Sequence, residues 1–263
     1  MKTERIIKNQ ARKYLSGNWL PFIVAGSVVC IAIILFMNIV SMFAFVFNLV
    51  DLNTYEIADN NKMLYVIIAS AVEMIFIFIS PMINGVIRMA ANVVLYEKTE
   101  VADMFYFFKE INRYFKTLLL NLALFVIYNI ITEILFNAYL YASVALDADL
   151  TGGLNFNSTS LILVLSMVVT VAVKVLFFFI VIYYPLSYYA LDSSKPVSAY
   201  VFGLISFSLR HLGSAIKLTI SFLGWILLCF FVVPAIYVLP YCVVSAVNST
   251  RWLVIYDRNR GLI

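Results

Sequence analysis

Long apolar stretches alternate with short polar segments along the whole chain. A helix that crosses a bilayer needs about 20 mostly apolar residues, because each residue adds about 1.5 Å across a hydrocarbon layer of about 30 Å. The pattern predicts an all-α fold, a polytopic transmembrane helix bundle that forms a single membrane domain over residues 1–263. The stretches long enough to span lie at residues 19–50, 63–92, 117–146, 160–191 and 218–250.

The last apolar stretch decides the predicted number of spans. Residues 218–250 are too many for one simple crossing and few for two, and Pro234 and Pro240 interrupt them. Lysine and arginine cluster before the first stretch, between the second and third, beside the fourth-to-fifth connection and after the last. Because cytoplasmic connections carry the excess of cations, we expect a cytoplasmic N-terminus and six spans, with the last two joined near Pro234. Five spans, with one long kinked final helix, is the alternative.

Three amphipathic segments precede apolar stretches, and each brings a cation next to a ring. Their sequences include RKYLSGNW at 12–19, NRYFKTLL at 112–119 and LRHLGSAI at 209–216. Helical spacing gives each segment an apolar and a charged face, so we expect helices that lie on the cytoplasmic leaflet among anionic headgroups. Cations and rings are favoured at that boundary. The predicted interfacial anchors are Lys13, Tyr14, Trp19, Arg113, Tyr114, Arg210 and His211.

A proline recurs in the later span of each predicted pair of spans. Together with the amphipathic segments, this recurrence suggests three helical-hairpin repeats at 1–96, 97–192 and 193–263. The alternative is coincidence, because pairs of a cation and a ring are common at membrane boundaries. Proline removes a backbone donor and clashes with the preceding turn, so it kinks or ends a helix. The predicted kink positions are Pro81, Pro185, Pro234 and Pro240.

The composition requires a membrane environment. Hydrophobic residues make up 64% of the chain and charged residues 12%, with a mean hydropathy of +0.99. Soluble domains average about 45–50% apolar and about 25% charged residues. We therefore expect a multi-pass protein of the cell membrane, whose partners are membrane lipids and either another membrane protein or a second copy of itself. The basic N-terminal segment fits anionic headgroups better than nucleic acid.

Three stretches carry short motifs that recur in a known family. They are ARKYLSGNW at 11–19, LGSAIKLTISFLGWILL at 212–228 and VLPYCVVSAVNSTRWLVIYD at 238–257. These motifs resemble the DUF975 family of bacterial multi-pass membrane proteins, which is similar to the membrane portion of some glycerophosphodiester phosphodiesterases. The glycine-rich turn usual between the last two spans of that family is replaced here by FVVPAIYV at 231–238. The resemblance implies a multi-pass topology and a bacterial origin, but no activity.

Three ionisable residues fall deep inside predicted spans, namely Glu73, Glu133 and Lys174. Counted from the predicted outer ends of their helices, all three lie about 15–21 Å deep, near the middle of the bilayer. A charge there costs at least about 2.5–3.5 kcal/mol, so Lys174 is expected to pair with Glu133 or with Glu73. Two roles stay open for this intramembrane cluster. One is a structural ion pair that fixes helix register, which we favour, and the other is a polar pathway for protons or a small solute.

Signals for enzyme chemistry are weak in this sequence. His211 is the single histidine and has no companion at metal-ligand spacing, and no phosphate-binding glycine loop or nucleophile elbow occurs. We therefore expect no catalytic residue, no metal and no cofactor. The predicted function is a non-catalytic scaffold or accessory protein that engages lipid or a membrane partner. The alternative is a transporter or pore for ions or small solutes that uses the intramembrane cluster.

Overall fold

The computed structural model of the chain describes residues 2–46, 62–150, 168–228 and 232–261. Within these ranges the regular elements are helices, and no strand occurs. A 3-10 helix, Val101–Phe108, precedes the fourth α-helix, and a π-helical turn, Phe179–Tyr183, lies within the fifth. The α-helices are α1 Lys2–Leu15, α2 Trp19–Val46, α3 Lys62–Tyr96, α4 Ile111–Leu150, α5 Val168–Leu191, α6 Val197–Val201, α7 Ile205–Leu228 and α8 Val232–Asn259.

Five helices among the described residues are long and apolar enough to cross a membrane, which confirms the prediction of a helical membrane protein. Large apolar side chains point outward along these helices, among them Leu20, Met42 and Ile134, which are 71%, 67% and 63% exposed. Such a surface would drive association in water, whereas acyl chains solvate it. The apolar windows are Trp19–Phe36, Ile77–Tyr96, Ile111–Ile134, Val168–Leu191 and Pro234–Asn259.

The N-terminal helix α1 packs against other helices of the protein. Its buried residues Ile7, Ala11 and Leu15 recur at helical spacing, while Arg5 and Lys13 are exposed. The buried residues contact core side chains of α2, α3, α7 and α8. The apolar side of α1 therefore meets protein, which differs from the expectation that it rests on acyl chains.

The first and last helices of the chain meet. The Gln10 Oε1 atom accepts hydrogen bonds from Asn248 Nδ2 at 3.2 Å and from Trp252 Nε1 at 3.0 Å. Arg251 donates to the backbone oxygen of Val94 at 2.6 Å, which attaches the same part of α8 to the end of α3. The N-terminal helix, the last turns of α8 and the last turns of α3 therefore lie together at one end of the bundle.

The segment before α4 differs from the amphipathic α-helix predicted there. It is a 3-10 helix that ends before residues 109–110, and α4 begins immediately afterwards. Met104 and Phe107 are buried, and the 3-10 helix packs on α3. A Cβ atom on Gly85 of α3 would overlap the backbone oxygen of Met104, so this close approach of two backbones requires glycine. The segment is thus held against α3 by its buried side, while Phe105 and Phe108 are exposed, and its contact with lipid stays a prediction.

Asp103 holds the first turn of the 3-10 helix. Its Oδ2 atom accepts hydrogen bonds from the Glu100 backbone N–H at 3.0 Å and from the Thr99 hydroxyl at 2.9 Å. Partial burial favours the neutral carboxyl, but the hydrogen bonds outweigh it and lower the pKa of Asp103 below its ordinary value. The charged carboxylate therefore fixes the point at which this helix begins.

The segment before α7 also differs from its prediction. Only Val197–Val201 form a separate short helix, and α7 then continues without a break through Arg210 and His211. Tyr200 fastens the short helix, because its hydroxyl donates to the backbone oxygen of Asp192 at 2.6 Å. The third cation–ring pair therefore lies on a long helix and not on a separate interfacial one.

The last apolar stretch forms two helices. One ends at Leu228 and the other begins at Val232, and the two helices pack against each other. The intervening residues 229–231 lie outside the described residues. Pro234 is in the first turn of α8, where proline removes no helical hydrogen bond. Pro234 therefore lies near the start of α8, and the kink predicted at this position stays a prediction.

The other three predicted kink positions lie within helices. Pro81 is inside α3, and Pro240 is inside α8. Pro185 is buried and follows directly on the π-helical turn, Phe179–Tyr183. A π-helical turn is one way in which a helix accommodates a missing backbone donor. The fifth helix is therefore distorted just before Pro185.

Candidate functional site

Nearly all cations of the protein lie at one end of the bundle, which we call the basic end. It comprises α1, the 3-10 helix, α6, the last turns of α3, α5 and α8, and the first turns of α4 and α7. Of the 18 lysines and arginines, Lys62 at the start of α3, Lys174 within α5 and Lys217 midway along α7 lie elsewhere. The basic end is therefore the part of the structure suited to anionic ligands.

A buried carboxylate joins helices at the basic end. Asp257 is fully buried, and its Oδ2 atom accepts a hydrogen bond from the Arg210 guanidinium at 2.7 Å. The Nε2 atom of His211 lies 3.0 Å from the other carboxylate oxygen, without the alignment of a hydrogen bond. The backbone oxygen of His211 accepts a hydrogen bond from the Tyr184 hydroxyl at 2.7 Å. We call Arg210, His211 and Asp257 the Asp257 cluster, which ties α7 to α8 and, through Tyr184, to α5.

A cavity of about 440 Å³ opens at the basic end, and we call it the basic cavity. Arg88 of α3 and Arg113 and Lys116 of α4 line it, together with one carboxylate, Asp192, just after α5. Its other lining residues are Tyr106, Asn112, Tyr189, Leu191, Ser193 and Ser194. Two segments distant in sequence, the last turns of α3 and the first turns of α4, thus bring three cations to one space.

Each cation of the basic cavity is positioned by a backbone carbonyl or by a ring. Arg88 and Lys116 donate to backbone oxygens at the end of α5 and just after it, each at 2.5 Å. The guanidinium groups of Arg88 and Arg113 lie 4.8 and 4.7 Å from the centre of the Tyr106 ring, within the range of cation–π attraction. The Arg88 Nε atom is buried and has no acceptor among the described residues. The cavity therefore holds preorganised cations and one unused buried donor.

The carboxylate of the basic cavity is engaged by its own loop. The Asp192 Oδ1 atom accepts hydrogen bonds from the Ser194 backbone N–H at 3.0 Å and from the Ser194 hydroxyl at 2.7 Å. Burial alone would raise its pKa, but these hydrogen bonds, with the charges of Lys195 and Lys116, lower the pKa of Asp192 below its ordinary value. Asp192 is therefore charged at neutral pH, and the lining keeps a net positive charge.

Polar side chains link α3 and α4 deeper inside the bundle. Asn84 Nδ2 donates to Asn121 Oδ1 at 2.9 Å, and Asn121 Nδ2 donates to the Ser80 hydroxyl at 2.6 Å. A cavity of about 370 Å³ beside this contact is also lined by Asn129, which lies one helical turn before Glu133. Hydrogen bonds between amides hold helices together within a membrane.

The predicted intramembrane cluster is described in part. Glu73 lies in α3, but its side chain is outside the described residues. Glu133 is exposed, Lys174 is half-buried, and neither lacks an interaction partner. The Thr117 and Tyr189 hydroxyls, 2.7 Å apart, set the relative height of α4 and α5. Glu133 and Lys174 lie 16 and 15 residues beyond this contact, so both are about 22–24 Å from it. Their equal height fits the pairing of Lys174 with Glu133, which stays a prediction.

Another cavity, of about 330 Å³, lies between α3, α5, α7 and α8. Part of its lining is the π-helical turn, and the Tyr183 hydroxyl there is buried without a hydrogen-bond partner among the described residues. Such turns are frequent at functional sites. However, no charged residue in the described part of the chain lines this cavity, so it has room for an apolar group but little to orient one.

The predicted anchors near the N-terminus lie at the end of α1 and at the start of α2. Lys13 is exposed, and Tyr14 and Trp19 are half-buried. The Trp19 ring meets the Tyr237 ring edge-on, with the ring centres 5.7 Å apart. Their role as headgroup contacts stays a prediction.

The other predicted anchors take part in contacts within the protein. Arg113 lines the basic cavity and pairs with Glu110 at 2.8 Å, and the Tyr114 hydroxyl donates to a backbone oxygen of α3 at 3.3 Å. His211 is buried, and Arg210 is paired with Asp257. His211 therefore contributes to the contact between helices, and its predicted role as an interfacial anchor stays a prediction.

Sequence reasoning missed Asp257, Arg88 and Lys116 as site residues. Arg88 falls inside the second apolar stretch, and a cation within a span is by itself a signal of function. Asp257 and Lys116 carry no such signal, because each lies beside other charges at the end of an apolar stretch.

Known proteins give no guide to the chemistry of this site. Comparison of the chain with protein-family models, with curated proteins and with solved structures found no match.

Proposed function

We propose that the protein is a non-catalytic, multi-pass membrane protein whose basic end binds anionic lipid headgroups of the cytoplasmic leaflet. The observation that carries this proposal is the gathering of lysines and arginines at one end of a bundle with apolar sides. Anionic leaflets attract each nearby cation by about 1 kcal/mol. The protein would act as a scaffold or accessory subunit that holds lipid next to a membrane partner or a second copy of itself.

A cytoplasmic N-terminus and six spans belong to this proposal. The contact between Gln10 and Trp252 supports an even number of crossings, because it brings the first and last helices to the same end of the bundle. The 24 residues of α7 extend about 36 Å, enough for a sixth span. The cations of the basic end favour the cytoplasmic side. Three pairs of long helices, each entered through a shorter one, also fit the three predicted repeats.

Competition between lipids tests the proposed function. The full chain in neutral detergent is offered equal amounts of phosphatidylglycerol and phosphatidylcholine, and the retained lipids are counted by native mass spectrometry. We expect a several-fold preference for phosphatidylglycerol that declines as salt screens the charges. Equal retention of the two lipids at low salt would contradict the proposal.

A second candidate function is transport of an ion or small solute through the bundle. It is favoured by the cavity that reaches Asn129, one turn from Glu133, and by the equal height of Glu133 and Lys174. Charged residues at that depth often line a pathway. Flux into proteoliposomes is compared for the native chain and Lys174→Met. Flux that disappears in the variant supports transport, and flux no greater than in empty vesicles contradicts it.

A further inference from the structure

We infer that the basic cavity is a specific binding site for a phosphate group, carried either by an anionic lipid or by a soluble phosphomonoester. This inference rests on the proposed function and deepens it, because it names the chemical group bound and the residues that bind it. Arg88, Arg113 and Lys116 converge on one cavity of about 440 Å³, which is ample for a phosphate group and its ester linkage.

The cations of the cavity match the geometry of phosphate. An arginine presents parallel N–H donors to two phosphate oxygens, and a lysine acts as a point charge. The Tyr106 ring lies 4.8 and 4.7 Å from the guanidinium groups of Arg88 and Arg113, so both planes are already oriented. A buried donor without an acceptor is unfavourable, and the Arg88 Nε atom is such a donor among the described residues.

The start of α4 adds to the positive potential. This helix begins at Ile111 and runs for 40 residues, and Asn112 and Arg113 of its first turn line the cavity. The first N–H groups of a helix lack intrahelical acceptors, and the helix dipole favours an anion beside them. The Asn112 amide is a further donor that carries no charge. The start of α4, the Asn112 amide and the cations therefore all favour an anion in the basic cavity.

The surrounding charges favour an anion over a cation. Asp192 is the one carboxylate in the lining, and its Oδ1 atom already accepts two hydrogen bonds from Ser194. Glu110 pairs with Arg113 from outside the lining, and the nearest donors of Arg88 and Lys116 bond to backbone oxygens. Three cations and one carboxylate give the lining a net charge of +2. Glu110, which pairs with Arg113, lowers the net charge around the cavity to +1, and this positive charge favours an anion such as a phosphomonoester, which carries about −1.5 to −2 at neutral pH.

Titration with phosphate compounds tests the inference on the full chain in neutral detergent at constant ionic strength. One arm titrates phosphatidic acid in the micelles, and the other titrates inorganic phosphate and glycerol 3-phosphate in water. Bound lipid is counted by native mass spectrometry, and bound solute is measured by calorimetry. Binding in the first arm alone assigns the site to a lipid headgroup, and binding in the second alone assigns it to a solute. Binding in neither arm overturns the inference.

Three variants decide whether the basic cavity is the site. Lys116→Gln should weaken phosphate binding about ten-fold or more, because it removes a charged donor. Arg113→Gln should do the same, and its side chain is 38% exposed, so folding should tolerate the change. Lys109→Gln is the matched control, since Lys109 is exposed at the same end of the bundle but outside the lining. Lys109→Gln should weaken phosphate binding by less than about two-fold.

The outcomes separate this inference from the proposed function. Lys116→Arg keeps the charge and should restore most of the affinity, whereas thermal unfolding in detergent checks that every variant is folded. Equal weakening of phosphate binding by Lys109→Gln and Lys116→Gln would mean that the phosphate group is attracted by the overall charge of the basic end and not by the basic cavity. The specific site would then be overturned, and the preference for anionic lipid would survive. Loss of that preference in the native chain would instead overturn the proposed function.

Discussion

The fully buried carboxylate of Asp257 lies 2.7 Å from the guanidinium of Arg210. Asp257 belongs to α8 and Arg210 to α7, so this ion pair joins the last two helices at the basic end. Removing one partner of a buried pair leaves an uncompensated charge, which costs more free energy than the intact pair contributes. The pair is therefore a sensitive point of the fold.

Arg210→Gln should lower the free energy of unfolding by about 2–3 kcal/mol. This is less than for a fully buried pair, because the Arg210 side chain is 37% exposed and solvent screens its charge. Thermal unfolding in detergent measures the change. Arg258→Gln is the control, since Arg258 is exposed and follows Asp257 directly. Equal shifts of the unfolding midpoint in both variants would show that the Arg210–Asp257 pair contributes no more to stability than an exposed arginine does.

Gly85→Ala should destabilise the protein by about 1–3 kcal/mol or more, because the new Cβ atom overlaps the backbone oxygen of Met104. Gly213→Ala in α7 is the control, since a Cβ atom there meets nothing within 4 Å. The control should be neutral or stabilising by up to about 1 kcal/mol, because alanine favours a helix. Unfolding midpoints of the two variants are compared. A midpoint of Gly85→Ala equal to the native value would mean that the 3-10 helix is not seated on α3.

Asn18→Ala should loosen the connection between α3 and the 3-10 helix. The Asn18 amide donates to the backbone oxygens of Tyr14 at 2.9 Å and Glu97 at 3.1 Å, and its oxygen accepts from the Thr99 backbone N–H at 3.2 Å. Glu97 has a φ of 61°, a strained conformation that these contacts help to hold. We expect a loss of about 2–4 kcal/mol and faster hydrogen exchange at residues 97–100. Asn9→Ala, at an exposed position of α1, should change neither the stability nor the exchange rate. Unaltered exchange in Asn18→Ala would contradict the role of the Asn18 hydrogen bonds in holding residues 97–100.

Exchange of charges tests the predicted pair inside the membrane. Lys174→Glu alone should place two carboxylates at the same height and reduce folded yield, because like charges in a bilayer repel and remain poorly solvated. Adding Glu133→Lys reverses both charges and should restore folded protein, measured by gel filtration and by the unfolding midpoint. Recovery with Glu73→Lys in place of Glu133→Lys would assign the partner to Glu73. No recovery in either double variant would contradict a specific pair.

The sequence predicted the helical membrane architecture because lipid imposes a strong local constraint. Backbone groups within a bilayer must bond within their own segment, so the length of an apolar stretch already determines a helix. The spacing of Ile7, Ala11 and Leu15 likewise gave the buried side of α1, since helical periodicity is a local property. The boundaries were less accurate, because α4 and α7 extend into segments that had been assigned to separate interfacial helices.

The sequence by itself therefore determined that this protein is a bundle of apolar helices with its cations gathered in particular connections. The tertiary structure decided which of those charges meet. Arg88 and Lys116 share a cavity with Asp192, and Arg210 and Asp257 form a buried pair across 47 residues of sequence. Helical periodicity specifies the side on which a residue lies but not the neighbour that packs there. That neighbour depends on how the helices pack, down to the single close approach that Gly85 allows Met104 to make.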